Sequence, residues 1–272
     1  MRMVQQRNKV SGSGFIGGEK VRDTWACQRM GWRRWFQRTF CFSSALLLVV
    51  GSLTAQDVHE QRHQASISQA KRALEEASDA SAPEAFELLV RLADAHLRAG
   101  DAAEATALYQ QAIQRRGEAE PFLWQYGIAL FFVNRFAEGR DLFVKHRMVN
   151  PRDVENAAWH FLCAAKATNL QKARQILLPA PDDPRPPMKQ ILTRLAGGDD
   201  QEIEAAVAVL VETPAHDSAR FYADLYLGLI ADAEGDSAAA RRYMRQAAKT
   251  KSTNYMADVA RVYWQHLQNA QE

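Results

Sequence analysis

His59-Glu60-Gln61-Arg62-His63 fits H-E-x-x-H. On a helix, two histidines four residues apart share a face, so they could hold zinc with Glu60 as general base. The surroundings argue otherwise. The segment is polar, no apolar helix encloses it, and only Glu75 and Glu76 follow as candidate third ligands. A coincidental match on a solvated N-terminal helix is therefore preferred, with a zinc hydrolase kept as an alternative. The next group is aromatic. Trp124, Phe131, Phe132 and Trp159 are denser than any other such set, and they suit either core packing or the anchors of a partner-binding surface. Cys163 lies in an Ala-rich helical run, which suits a small buried residue better than a reactive thiol. His160 stands on an apolar face as a hydrogen-bonded core histidine, and Asp153 caps a helix start with Asn156 at N3. No nucleophile–base pair, paired carboxylates or phosphate loop is legible, and Gly197-Gly198-Asp199-Asp200 has too few ligands for calcium. The sequence thus implies no cofactor, no metal and no enzymatic activity.

The elements that must carry these residues follow a period. Ala105, Gly139 and Ala173 recur every 34 positions, and Ala240 lies 67 further on. Leu89, Leu92, Ala93 and His96 share one helical face in the first unit, 86–119. Leu123, Tyr126, Gly127 and Leu130 repeat it 34 residues later, in 120–153. Gly100 and Asn134 take the turn position that needs positive φ, and Asp101 caps the next helix. A degenerate third unit, 154–187, ends in a proline-rich loop. A fourth, 188–220, pairs a short helix with QEIEAAVAVLVE. The fifth, 221–253, carries Leu227-Gly228, Gly235-Asp236 and Ala240. Small residues at Ala93, Ala105, Gly127, Gly139, Ala173, Gly228 and Ala240 allow close helix crossing. Residues 254–268 form a terminal cap with charge on its outer side. Residues 57–78 cap the other end through Ile67, Ala70 and Leu74.

These motifs and the 34-residue period resemble the tetratricopeptide (TPR) repeat family over 86–253. The resemblance implies a concave groove, lined by first helices, that binds peptides or extended protein segments. The fold expected is all-α: a TPR-like α-solenoid of about five helix pairs with capping helices. The C-terminal half, FYADLYLGLIADAEGDSAAARRYMRQAAKTKSTNYMADVARVYWQH, is similar to the bacterial envelope lipoproteins of the NlpI type. That likeness implies an adaptor docking envelope proteases or peptidoglycan hydrolases. The chain departs from it in having no cysteine placed for lipidation, since Cys41 precedes the apolar run.

Charge and the N-terminus set the compartment. Residues 1–55 carry nine Lys/Arg and two Asp/Glu; the remaining 25 Lys/Arg and 30 Asp/Glu leave the body mildly acidic. Nucleic acid is excluded as a partner, because its binding needs clustered cations. Residues 40–53 are an uncharged apolar run behind Arg33, Arg34 and Arg38, with Thr54-Ala55 as a cleavage point. This reads as a signal peptide, or else as a short inner-membrane anchor; Met30 is a second candidate start. Both readings place the body outside the cytoplasm, in the periplasm or secreted. The domains expected are 1–55 (extension and signal), 56–85 (cap), 86–253 (repeats) and 254–272 (cap). The function expected is an exported scaffold or adaptor for a protein or peptide. Its alternative is a structural protein that associates with itself as a homo-oligomer.

Overall fold

Helix formers dominate the body, and in a computed structural model every regular element among the described residues, 55–77 and 81–269, is helical. All of them fall in one unit, Gly51–Glu272. The N-terminal extension, the apolar run 40–53 and both candidate starts lie outside the described residues. No described helix is long and apolar enough to cross a membrane.

The helices pack as sequence neighbours. Helix α1 (Ala55–Glu76) lies on α2 (Ala82–Arg98), which pairs with α3 (Ala102–Arg115). Gly100 turns between them at φ +92°, and Asp101 accepts a hydrogen bond from the Glu104 amide. A 3-10 segment, Gly117–Phe122, contains Pro121 and shortens the next first helix to α4 (Trp124–Phe132). Its partner is α5 (Phe136–Arg147), reached through Asn134 at φ 61°. Helix α6 (Val154–Ala167) packs on α5, but its own partner α7 (Leu170–Gln175) has six residues. Helices α8 (Met188–Leu195) and α9 (Asp200–Ala208) form a small pair. The long pair is α10 (His216–Glu234) and α11 (Ser237–Ala248), and α12 (Tyr255–Asn269) closes the chain.

Small residues sit where helices meet. A Cβ on Gly127 would stand 2.5 Å from the buried Phe143 ring. On Gly139 it would meet the Gly127 carbonyl oxygen at 3.2 Å, and on Gly228 the Met244 amide at 3.0 Å. Ala93, Ala105, Ala173 and Ala240 are fully buried. The 34-residue recurrence thus marks the inward faces of α3, α5, α7 and α11.

Three boundaries differ from the sequence reading, the first being α2, which begins at Ala82 and so ahead of the unit expected from 86. The second helix of the fourth unit stops at Ala208 and does not run to Glu212, which adopts φ 70° just before Pro214. Helix α10 begins at His216, so the first helix of the fifth unit starts earlier than expected.

Where the middle pair is thin, charge joins the elements. Arg185, on the proline loop, bonds Asp153, Glu155 and Asp183. Arg194 reaches Glu234 at 2.6 Å, and Arg174 reaches it at 2.8 Å.

Candidate binding face of the first helices

Helix α12 is more than a terminal cap. It packs on α11 as expected, but also on α2. Its apolar residues Met256, Val259, Val262, Tyr263 and Leu267 are buried. The expectation of charge on its outer side is corrected at one position. Asp258 is fully buried and is surrounded by cations from three helices. Arg62 donates to Oδ1 at 2.5 Å, Arg261 to Oδ1 at 2.9 Å and Arg98 to Oδ2 at 2.7 Å. Burial alone would raise the Asp258 pKa. The hydrogen bonds from His63, Arg98 and Arg62, with the Arg98 charge, reverse that and hold the carboxyl below the usual range.

This knot also places the H-E-x-x-H segment. Its histidine face is partly buried against α12, where the sequence reading expected a solvated helix. His63 Nε2 lies 3.5 Å from Asp258 Oδ1. The Arg62 guanidinium stands 3.4 Å from His59 Nδ1 and 3.2 Å from His63 Nε2. A cation thus occupies the place between the imidazoles that a zinc ion would need. Burial first, then Arg261 and Arg62, lower the His59 pKa. Among the described residues no three His, Cys, Asp or Glu side chains converge as metal ligands.

The aromatic set meets α12. Phe131 stacks on Tyr263 with centroids 6.0 Å apart and meets Trp159 edge-on at 5.5 Å. Phe132 contacts Tyr263 and His266. Phe131 and Trp159 are buried in this arrangement, so they do not present an open surface. Trp124 is partly exposed and meets Tyr255 edge-on at 4.9 Å. Tyr255 in turn donates to Asp94, which also receives the Tyr109 hydroxyl.

Beyond Trp124 the face opens into a cavity of about 240 Å³. Trp124, Phe143, Trp159, Tyr222 and Tyr255 form its aromatic walls, and His146, Glu155 and Asn156 add polar groups. His146 Nδ1 is 2.8 Å from the Pro121 carbonyl oxygen, so it carries a proton and donates to it. Asn156 Nδ2 donates to the Phe143 carbonyl oxygen at 3.2 Å, so the N3 position does not help cap α6. Asp153 caps that helix through the Glu155 amide, and Asp183 accepts from the Val154 amide. Glu155 accepts from Arg185 and from the Tyr226 hydroxyl; burial raises its pKa despite Arg185. Burial, then Glu155, pushes the Tyr222 phenol up to about 12. Three side-chain atoms of these residues are buried without hydrogen-bond partners: His146 Nε2, Asn156 Oδ1 and Trp159 Nε1.

Two further residues complete the account. Cys163 is fully buried and burial raises its thiol pKa, so it is an inert packing residue. His160 is buried, but its Nδ1 has no hydrogen-bond partner, contrary to the sequence reading; burial lowers its pKa to about 4. The polar cavity was missed because its members come from α4, α5, α6, α10 and the start of α12. None of their spacings is a motif. No protein-family model matches the chain, and no curated protein sequence matches it significantly.

Proposed function

We propose that this chain is a TPR-like scaffold of the bacterial envelope that binds a protein or peptide segment on its first-helix face. The observation that carries the reading is the division of that face. Helix α12 covers the Phe131 and Phe132 stretch, whereas the stretch beside Trp124 stays open next to unpartnered polar atoms. A partly exposed tryptophan beside a desolvated pocket is the usual anchor of a protein interface. The helix crossings at Gly127, Gly139 and Gly228 support the repeat assignment. Export through residues 1–55 belongs to the same reading, with an envelope protease or peptidoglycan enzyme as the partner class.

Affinity purification from envelope extract tests it. Wild-type protein is expected to retain a discrete heterologous protein that Trp124→Glu loses. Retention of no heterologous protein, or equal retention by the variant, would overturn the reading. A second reading, self-association, rests on the exposed Val144 of α5 and the exposed Met148 at its C-cap. Light scattering that shows a dimer broken by Met148→Glu would favour it.

A further inference from the structure

The cavity beside Trp124 combines aromatic walls with carboxylates. Trp124 on α4, Tyr222 on α10 and Tyr255 on α12 line it, and each is partly exposed. Asp153 and Glu155, at the start of α6, line it as well and are also partly exposed. Among the described residues of the lining, none is lysine or arginine.

The charge around those carboxylates is out of balance. Asp153, Glu155 and Asp183 share one guanidinium, that of Arg185. No other cation among the described residues pairs with any of the three. The Tyr226 hydroxyl gives Glu155 a hydrogen bond but no charge. Burial, with Asp153 adding to it, raises the Glu155 pKa despite Arg185, so this carboxylate gains from a further cation. The Arg185 guanidinium also lies 6.0 Å from the centre of the Tyr222 ring, so one of these aromatic walls already carries a cation.

The occupant follows from charge and size. An anion would meet Asp153 and Glu155 with no cation on the lining to receive it. An apolar or neutral group would bury the carboxylates further and add no positive charge, which is costly. A cation is attracted by both components, by the carboxylates through charge and by the ring faces through their quadrupoles. The volume, about 240 Å³, is below the ~300–1,000 Å³ of drug-sized sites and suits a single side chain.

We propose that this cavity receives a basic side chain, lysine or arginine, of a protein segment docked on the face beside Trp124. Its cationic head rests on the aromatic walls, and Asp153 and Glu155 supply the opposing charge. The inference rests on the scaffold reading for the source of that side chain, and it states what the partner must present.

Saturation-transfer NMR on the full chain is the test, with Nα-acetyl-lysine methylamide, Nα-acetyl-arginine methylamide and the uncharged Nα-acetyl-norleucine methylamide as probes. At least one basic probe is expected to bind saturably, with a dissociation constant on the order of 1–10 mM for a ligand of this size. The norleucine probe is expected to bind at least about tenfold more weakly. Preference for lysine or for arginine indicates which side chain the partner presents, and either supports the proposal. Glu155→Gln removes a charge at constant shape and is expected to weaken the basic probes about tenfold. Trp124→Ala, at a partly exposed residue, keeps the test decisive if Glu155→Gln does not fold, and is expected to weaken them by a similar factor. Absence of saturable transfer from both basic probes would overturn the proposal. So would equal binding of the norleucine probe, binding that neither variant weakens, or saturation by tetramethylammonium in preference to both basic probes. The probes need no partner protein, so their failure overturns this inference alone, whereas the scaffold reading fails only in the affinity purification.

Discussion

The first-helix face divides into a closed region and an open one, and the two treat polar groups oppositely. In the closed region α12 brings Asp258 into the interior, and Arg62, Arg98 and Arg261 all bond it. Rings from both sides meet there edge-on or stacked. In the open region, beside Trp124, three buried polar atoms have no partner and a cavity remains. The Asp258 knot leaves one buried atom, Arg62 Nε, without a partner, and the residues beside Trp124 leave three.

The strongest way to break this contrast is at Asp258. Asp258→Ala leaves three cations facing each other without their anion, and breaking buried pairs in this way costs about 3–5 kcal/mol. Denaturant unfolding should show that loss, and Trp124 emission should shift to the red as Tyr255 leaves it.

Next in size is the pH dependence. Burial lowers the His160 pKa from 6.5 to about 4, so the unfolded chain binds the proton more readily than the folded one. Stability from this group is complete above pH ~6.5 and is lost as pH falls toward 4, by about 3 kcal/mol. Asp258 acts in the same sense at lower pH. Its depressed folded pKa gives stability that is present above ~4 and lost on further acidification. Glu155 and Asp94, both raised, act oppositely. His160→Phe should flatten the loss between pH 6.5 and 4 in thermal melts, and Asp258→Asn only the loss below it.

A smaller effect is expected at the helix crossings, which support both regions. Gly228→Leu forces a side chain against the Met244 backbone and should cost about 1–3 kcal/mol in a melt. Gly117→Ala meets nothing within 4 Å and should leave the melt unchanged. The smallest effect sharpens the contrast from the open side. Trp124→Phe should change stability by less than about 1 kcal/mol in urea, because Trp124 is partly exposed.

Much of the fold was legible because it depends on local signals. Gly100, Asn134 and Gly235 each adopt positive φ where the period placed a turn. Gly127, Gly139 and Gly228 each stand at a close approach. What was not legible depends on contacts far apart in sequence. Asp258 reads as surface charge until Arg62 and Arg98, some 160 to 196 residues away, are brought to it. The aromatic set was recognised, but the sequence had no means of showing that Tyr263 would cover Phe131. The cavity depends on the orientation of single atoms. Whether Asn156 turns its amide toward the Phe143 carbonyl or toward its own helix end is decided by packing and not by propensity.

The central claim is that the open region beside Trp124, and not the region under α12, receives a partner. A photo-crosslinking residue placed at Trp124, and separately at Phe132, tests it in protein exposed to envelope extract. The account predicts a heterologous adduct from position 124 and only internal crosslinks to α12 from position 132. Heterologous adducts from position 132, with none from 124, would contradict it.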